Sequence, residues 1–94
     1  MKRHSIVRAA LLSFAIGDRV KQLRESRGMS IKALAEEMGA RKYHVKMVEW
    51  GCRNISAYNC LRLHEIFNVS VHYIVTGEEF EAEQNESGES DESI

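Results

Sequence analysis

Between Ser30 and Val48 the apolar positions change their spacing, and the change divides the stretch into two short helices. Ile31, Leu34, Ala35 and Met38 recur at helical spacing, which gives one buried stripe along an amphipathic helix. Ser30 stands before them as an N-cap, because its hydroxyl accepts a bond from an orphan N–H of the first turn. Gly39 follows them as a residue that readily takes the left-handed conformation ending a helix. Beyond it Val45 and Val48 form a narrower stripe, while Arg41, Lys42, Tyr43, His44, Lys46 and Met47 occupy the other faces. The second helix therefore keeps only a thin edge for the core. Ala35 is small where two steeply crossing helices approach, and Ala40 can fill their corner. With Val45 and Val48 packing back under the first helix, the stretch reads as a helix-turn-helix.

The same periodicity frames this pair. A helix is expected from about Phe14 to Arg27, with Ile16, Val20 and Leu23 inward, Asp18, Arg19, Lys21, Gln22 and Glu25 outward, and Gly28 ending it. Ser56 caps a fourth helix to about Asn68 that should bury Ala57, Cys60, Leu63 and Phe67, with His64 as a half-buried packing residue. Ser70 caps a short fifth helix in which Val71, Ile74 and Val75 are apolar and Tyr73 is amphipathic. Upstream, Ile6, Val7, Ala10, Leu11 and Phe14 share a face over residues 3–13. They form either a continuation of the first helix or a partner-binding arm, expected to pack on the domain or on a dimer mate. From Glu78 the chain runs EEFEAEQNESGESDESI, where only Phe80 and Ile94 could bury appreciable apolar area. That segment is expected to be disordered in the free protein. The organisation is all-α: an N-terminal amphipathic extension over 1–13, a helical domain over 14–77 and an acidic tail over 78–94.

Charge changes this picture more than size does. Ninety-four residues with 44% hydrophobic content suit one small domain. The net charge of −1 hides a division: residues 1–77 hold all 13 basic and 6 of the 14 acidic side chains, a balance of +7, and 78–94 hold the other 8 acids and no base. The basic body favours a polyanion, and the tail opposes one. The tail reads first as a solvated segment, with an autoinhibitor on the basic face or a lure for a basic partner as alternatives.

Candidate chemistry is sparse. Cys52 and Cys60 lack the paired spacing of a zinc site and read as free thiols in a reducing compartment. No nucleophile and base share an interpretable scaffold, and no phosphate-cradling glycine loop or metal-ligand spacing occurs, so no enzyme, cofactor or metal is expected. The start, MKRHSIVRAALLSFA, mimics a signal peptide, but Arg8 interrupts the apolar run and cleavage would trim the first helix. No run is long enough to span a bilayer. A cytoplasmic, nucleoid-associated location is expected.

The ordered set Ile16-Gly17, Leu23-Arg24, Arg27-Gly28-Met29-Ser30, Leu34-Ala35, Gly39, Val48-Glu49, Gly51, Val69-Ser70-Val71 and Tyr73-Ile74-Val75-Thr76-Gly77 resembles the Cro/cI-type (XRE-family) helix-turn-helix of phage and bacterial repressors. It runs without insertion or deletion from about Ile16 to Gly77. The resemblance implies a five-helix, lambda-repressor-like DNA-binding domain, acting as a homodimer on double-stranded DNA and regulating transcription, most simply as a repressor. The helix at about 41–49 would then enter the major groove. Motif position makes Arg41, Lys42, Tyr43, Lys46 and Met47 the candidates for base contacts, with lysine or arginine donating to guanine and Met47 meeting a thymine methyl. Ser30, Lys32, His44, Trp50 and Arg53 are the candidates for the DNA backbone. The resemblance also implies that Arg24 pairs with Glu49, tethering the first helix to the third and turning a guanidinium toward the DNA backbone. It implies a twofold contact near the C-terminal helix, for which Val71, Tyr73 and Ile74 are candidates.

Three positions depart from the family pattern. Ile31 stands where relatives often carry a phosphate-gripping glutamine, Trp50 where they often have asparagine, and Ile55 where a loop proline is common. Backbone N–H groups at the start of the second helix can still bind phosphate, so Ile31 weakens that clamp without abolishing it. An exposed Ile31/Trp50 pair could instead bind protein. The alternative reading is therefore a helix-turn-helix scaffold used as an antitoxin, anti-repressor or accessory factor, with a partner taken through that pair or through the acidic tail.

Overall fold

The computed structural model describes residues 3–78, with side chains from Val7 onward. Its elements are α1 (Arg3–Ser26), α2 (Ile31–Met38), α3 (Lys42–Glu49), α4 (Ala57–Phe67) and α5 (Val71–Thr76), and the described residues contain no strand. The acidic tail beyond Glu78 lies outside them. No helix among them is long and apolar enough to cross a membrane.

Local chemistry sets the ends of these helices. Ser30, Ser56 and Ser70 each accept a bond from the backbone N–H three residues on, those of Ala33, Asn59 and Tyr73. These contacts satisfy donors that a helix start leaves orphaned. At the other end of α2, Gly39 has φ 68°, and the N–H of Ala40 returns to the carbonyl of Ala35 at 2.9 Å. A side chain at Gly39 would meet nothing within 4 Å. Its backbone angle, and not crowding, is what calls for glycine there.

Leu34, Leu63, Phe67, Ile74, Val20 and Val45 form the most deeply buried centre, ringed by Ile16, Ala35, Met38, Val48 and Cys60. Burying such side chains contributes roughly 1.5–3 kcal/mol each. Three arginines of α1 and the turn after it then tie the helices together. Arg19 donates to the carbonyl of Ile74 at 2.6 Å and Arg24 to that of Met29 at 2.8 Å. Arg27 donates to the carbonyl of Phe67 at 2.8 Å, with its guanidinium over the Phe67 ring.

Gly17 sets how closely α1 approaches α3. A methyl group there would overlap the carbonyl oxygens of Val48 and Glu49, the latter at 2.9 Å. The end of α3 can therefore lie directly on α1.

The segment over 3–13 is the first part of one uninterrupted α1, as one of the two sequence readings has it, with Val7, Leu11 and Phe14 exposed. The structure corrects three other expectations. Ala57 faces solvent in the first turn of α4, and Asn59 takes the inward position. His64 is exposed, its Nδ1 lying 2.7 Å from the carbonyl oxygen of Val69 beyond the helix end. Ile74 is 0% exposed and belongs to the core. Its side chain cannot meet a second copy, whereas Val71 is exposed and Tyr73 is half-buried.

Candidate nucleic-acid interface

Helix α3 is held by one edge. Val45, Val48 and Glu49 are buried, Arg41, Lys42 and Tyr43 are exposed, and His44, Lys46 and Met47 are half-buried. Lys42 and Lys46 stand one turn apart on the open side. The ammonium of Lys46 lies 5.9 Å from the centre of the Trp50 ring, within the range of a cation–π contact. Trp50 closes the helix and is 60% exposed.

The closed side of α3 is fixed by the ion pair of Arg24 with Glu49. Arg24 Nε donates to Glu49 Oε2 at 2.7 Å and Nη2 to Oε1 at 3.0 Å, a two-pronged pairing between buried side chains. The hydrogen bond to Glu49 holds the Arg24 pKa above its ordinary value, against desolvation, which lowers it. Arg24 therefore stays charged near neutral pH. With Nη1 committed to Met29, Arg24 is only 9% exposed. It is a strut inside the domain, and its guanidinium, which the family pattern would turn toward the DNA backbone, reaches the surface only at the floor of a cleft.

The backbone-contact candidates fall into three situations. Lys32 and Arg53 are exposed. Ser30 is exposed too, but its hydroxyl oxygen already accepts from Ala33 at 3.0 Å. His44 turns inward toward α4, its Nε2 3.0 Å from Nδ2 of Asn59. This contact draws the ring away from the outer surface of α3.

Two open clefts border the helix. The larger, about 720 Å³, is lined by Arg41, Tyr43, His44, Arg53, Tyr58 and Asn59 together with the α2–α3 turn. It brings two arginines and two tyrosines to one surface, and Tyr58 and Asn59 are members that the sequence pattern does not reveal. Their place just after the Ser56 cap carries no local signal, because only the crossing of α4 beside α3 brings them there. The second cleft, about 390 Å³, is lined by Phe14, Asp18, Lys21, Ile31 and Trp50 beside the buried ion pair. Ile31 and Trp50 thus border one cleft, with Phe14 as a third apolar wall. Among the described residues no group of three or more His, Cys, Asp or Glu could hold a metal ion.

A helix-turn-helix family model matches residues 20–74. No curated protein matches the sequence significantly. Among solved structures, the restriction-modification controller protein C.AhdI from Aeromonas hydrophila is similar, at 31% identity and a TM-score of 0.62, over 66% of this chain and 94% of that one. A chain of the SinR protein/SinI protein complex is similar at 29% identity and a TM-score of 0.62, over 80% of this chain and 82% of that one.

Proposed function

The chain belongs to the helix-turn-helix family, and from that premise we propose that it is a repressor that binds operator DNA as a homodimer and reads each half-site with α3. The broader statement, a sequence-specific DNA-binding regulator of transcription, follows from the family and its structural relatives. One of these is a restriction-modification controller protein.

The observation that carries the finer reading is the division of α3 into two sides. Its Val45, Val48 and Glu49 edge is fixed to the domain, while Arg41, Lys42 and Tyr43 face solvent beside a half-buried Lys46. A helix anchored along one edge and at its C-terminal end, with free donors at its N-terminal end, suits the major groove, where lysine and arginine donate to N7 and O6 of guanine. Arg53, Lys32 and the backbone N–H groups at the start of α2 would meet phosphates and set the register. Half-sites would lie about 34 Å apart, one turn of the duplex. Val71 and Tyr73 supply exposed and half-exposed surface for the twofold contact.

Selection of random-sequence duplex DNA by the full chain, at several salt concentrations, tests this. The expected result is enrichment of a two-fold-related motif whose binding falls steeply with salt. Weak binding at low salt with no enriched motif would overturn it.

The cleft of Phe14, Ile31 and Trp50 supports a second reading, in which this surface takes a protein partner. One solved relative is itself found in a complex of two different proteins. Lys42→Ala with Lys46→Ala should abolish sequence preference if DNA reading is the function. Function that survives this change but is lost on Trp50→Ala would favour the protein-binding reading.

A further inference from the structure

The N-terminal half of α1 and the acidic tail are not absorbed by the DNA-binding reading, and the structure places the root of the tail on α1 at Arg19, about two turns of helix from Leu12. Gly77 sits against the guanidinium of Arg19, which a methyl group at Gly77 would meet at 2.8 Å. The same arginine donates to Ile74. The chain therefore leaves the domain from a fixed point on the flank of α1. Arg8, Leu12, Ala15 and Arg19 are spaced four, three and four residues apart, so they lie along one side of the helix. Leu12 is 47% exposed. Between this side and the loop before α4 lies a pocket of about 260 Å³ lined by Ala9, Leu12, Ser13, Ile16, Asn54 and Ile55. Its walls are mainly aliphatic, and Ser13 donates to Asn54 at its edge at 2.6 Å.

From this geometry we propose that residues 79–83 dock back along the N-terminal half of α1 in the same molecule, with Phe80 in the Leu12/Ile16/Ile55 pocket.

Reach, size and charge support this occupant together. Arg19 and Leu12 are separated by seven residues of helix, about 10 Å along the axis. Phe80 lies three residues beyond Gly77, and an extended chain covers about 10 Å in that distance. A pocket of 260 Å³ has room for a phenyl ring, and Phe80 is the only aromatic residue of the tail. It is flanked by Glu79, Glu81 and Glu83, while residues 1–13 contain Lys2, Arg3, His4 and Arg8 and no acid. Because Gly77 is already held, only a few residues need ordering before the aromatic ring is placed, which limits the entropic cost. Docking would cover apolar surface of α1 that the domain leaves open. It would also keep the first glutamates of the tail on basic residues of α1 and away from α3.

The proposal does not depend on DNA binding, and it is tested on the full chain by methyl NMR. In the unmodified protein, cross-relaxation between the Phe80 ring and the methyl groups of Leu12 and Ile55 is expected, with upfield ring-current shifts of those methyls. Phe80→Ala should remove the shifts while leaving core methyls such as those of Leu34 and Leu63 in place. Arg8→Glu and added salt should reduce them, and tenfold dilution should not change them. Absence of the Phe80 cross-peaks, or Leu12 and Ile55 shifts that survive Phe80→Ala, would overturn the proposal. Loss of the shifts on dilution would equally overturn it, since docking would then occur between molecules.

Discussion

Arg24 Nε and Glu49 Oε2 lie 2.7 Å apart inside the domain, joining the last turn of the first helix to the end of the third across 25 residues of sequence. Removing one member would strand the other in a desolvated place. Glu49→Ala is expected to lower the unfolding free energy by about 3 kcal/mol. Replacing both by methionine should restore most of that loss, because an apolar pair leaves no buried charge. Urea titrations of the two variants check this, and equal stability of Glu49→Ala and the parent would show that the pair contributes little.

Gly17 should resist even the smallest enlargement. Alanine is the better helix former by about 1 kcal/mol. A methyl group would nevertheless be driven into two backbone carbonyls at the end of α3, and neither can rotate out of the way. Gly17→Ala is expected to cost about 2–3 kcal/mol net, which thermal unfolding would register as a lower midpoint. A neutral or stabilising effect would mean that α1 and α3 stand further apart than described.

The two cysteines should separate by reactivity. Cys52 is exposed and Cys60 is buried, and burial pushes the Cys60 thiol above its ordinary pKa of 9.0. Iodoacetamide at pH 8 is expected to modify the folded chain once, at Cys52, and twice in denaturant, as mass spectrometry would show. Because the folded state holds Cys60 protonated, its contribution to stability is complete below pH 9 and is lost as the pH rises through the raised value. A stability that climbs with pH above 9 would contradict this assignment.

On DNA, the lysines of α3 should differ from the exposed arginine beyond it. Lys42→Ala is expected to relax base preference at one position of each half-site, at about 1–3 kcal/mol of discrimination. Arg53→Ala should weaken all sequences alike and lower the salt slope by about 0.9 for each phosphate that the arginine neutralises. Binding isotherms of a selected and a scrambled duplex at three salt concentrations separate the two effects. The opposite pattern would move the reading surface off α3.

Most of the fold was written in local signals. The serine caps, the glycine after Met38 and the 3.6-residue stripes fix the four helices from α2 to α5 to within a residue or two, because these choices are made between near neighbours in the chain. Ala57 and His64 were misplaced for a related reason. A three-turn stripe does not say where the buried arc begins, and packing against α2 and α5 turned α4 so that Asn59 faced in. Arg24 and Glu49 could be paired only through the family pattern, since nothing local links them. Tyr58 and Asn59 gave no signal, and Phe14 read only as part of an apolar helix face, for each lines its cleft by virtue of an approach between distant segments. Ile74 stood among the candidates for the twofold contact only through the family pattern, whereas α1 and α4 close over it.

Helix α3 also differs from its neighbours in how it begins. Ser30, Ser56 and Ser70 cap α2, α4 and α5, but Arg41 makes no side-chain hydrogen bond to the first turn of α3. The far end is locked by Glu49 and by backbone bonds from Trp50 and Cys52 back to Lys46 and Met47. The helix is therefore firm at its trailing end and loose at its leading one. Local opening should be easiest at Tyr43 and His44, whose amide hydrogens should exchange with solvent well ahead of those of Val48 and Glu49. A reader built this way can adjust its tip to a variant site without releasing its grip on the domain.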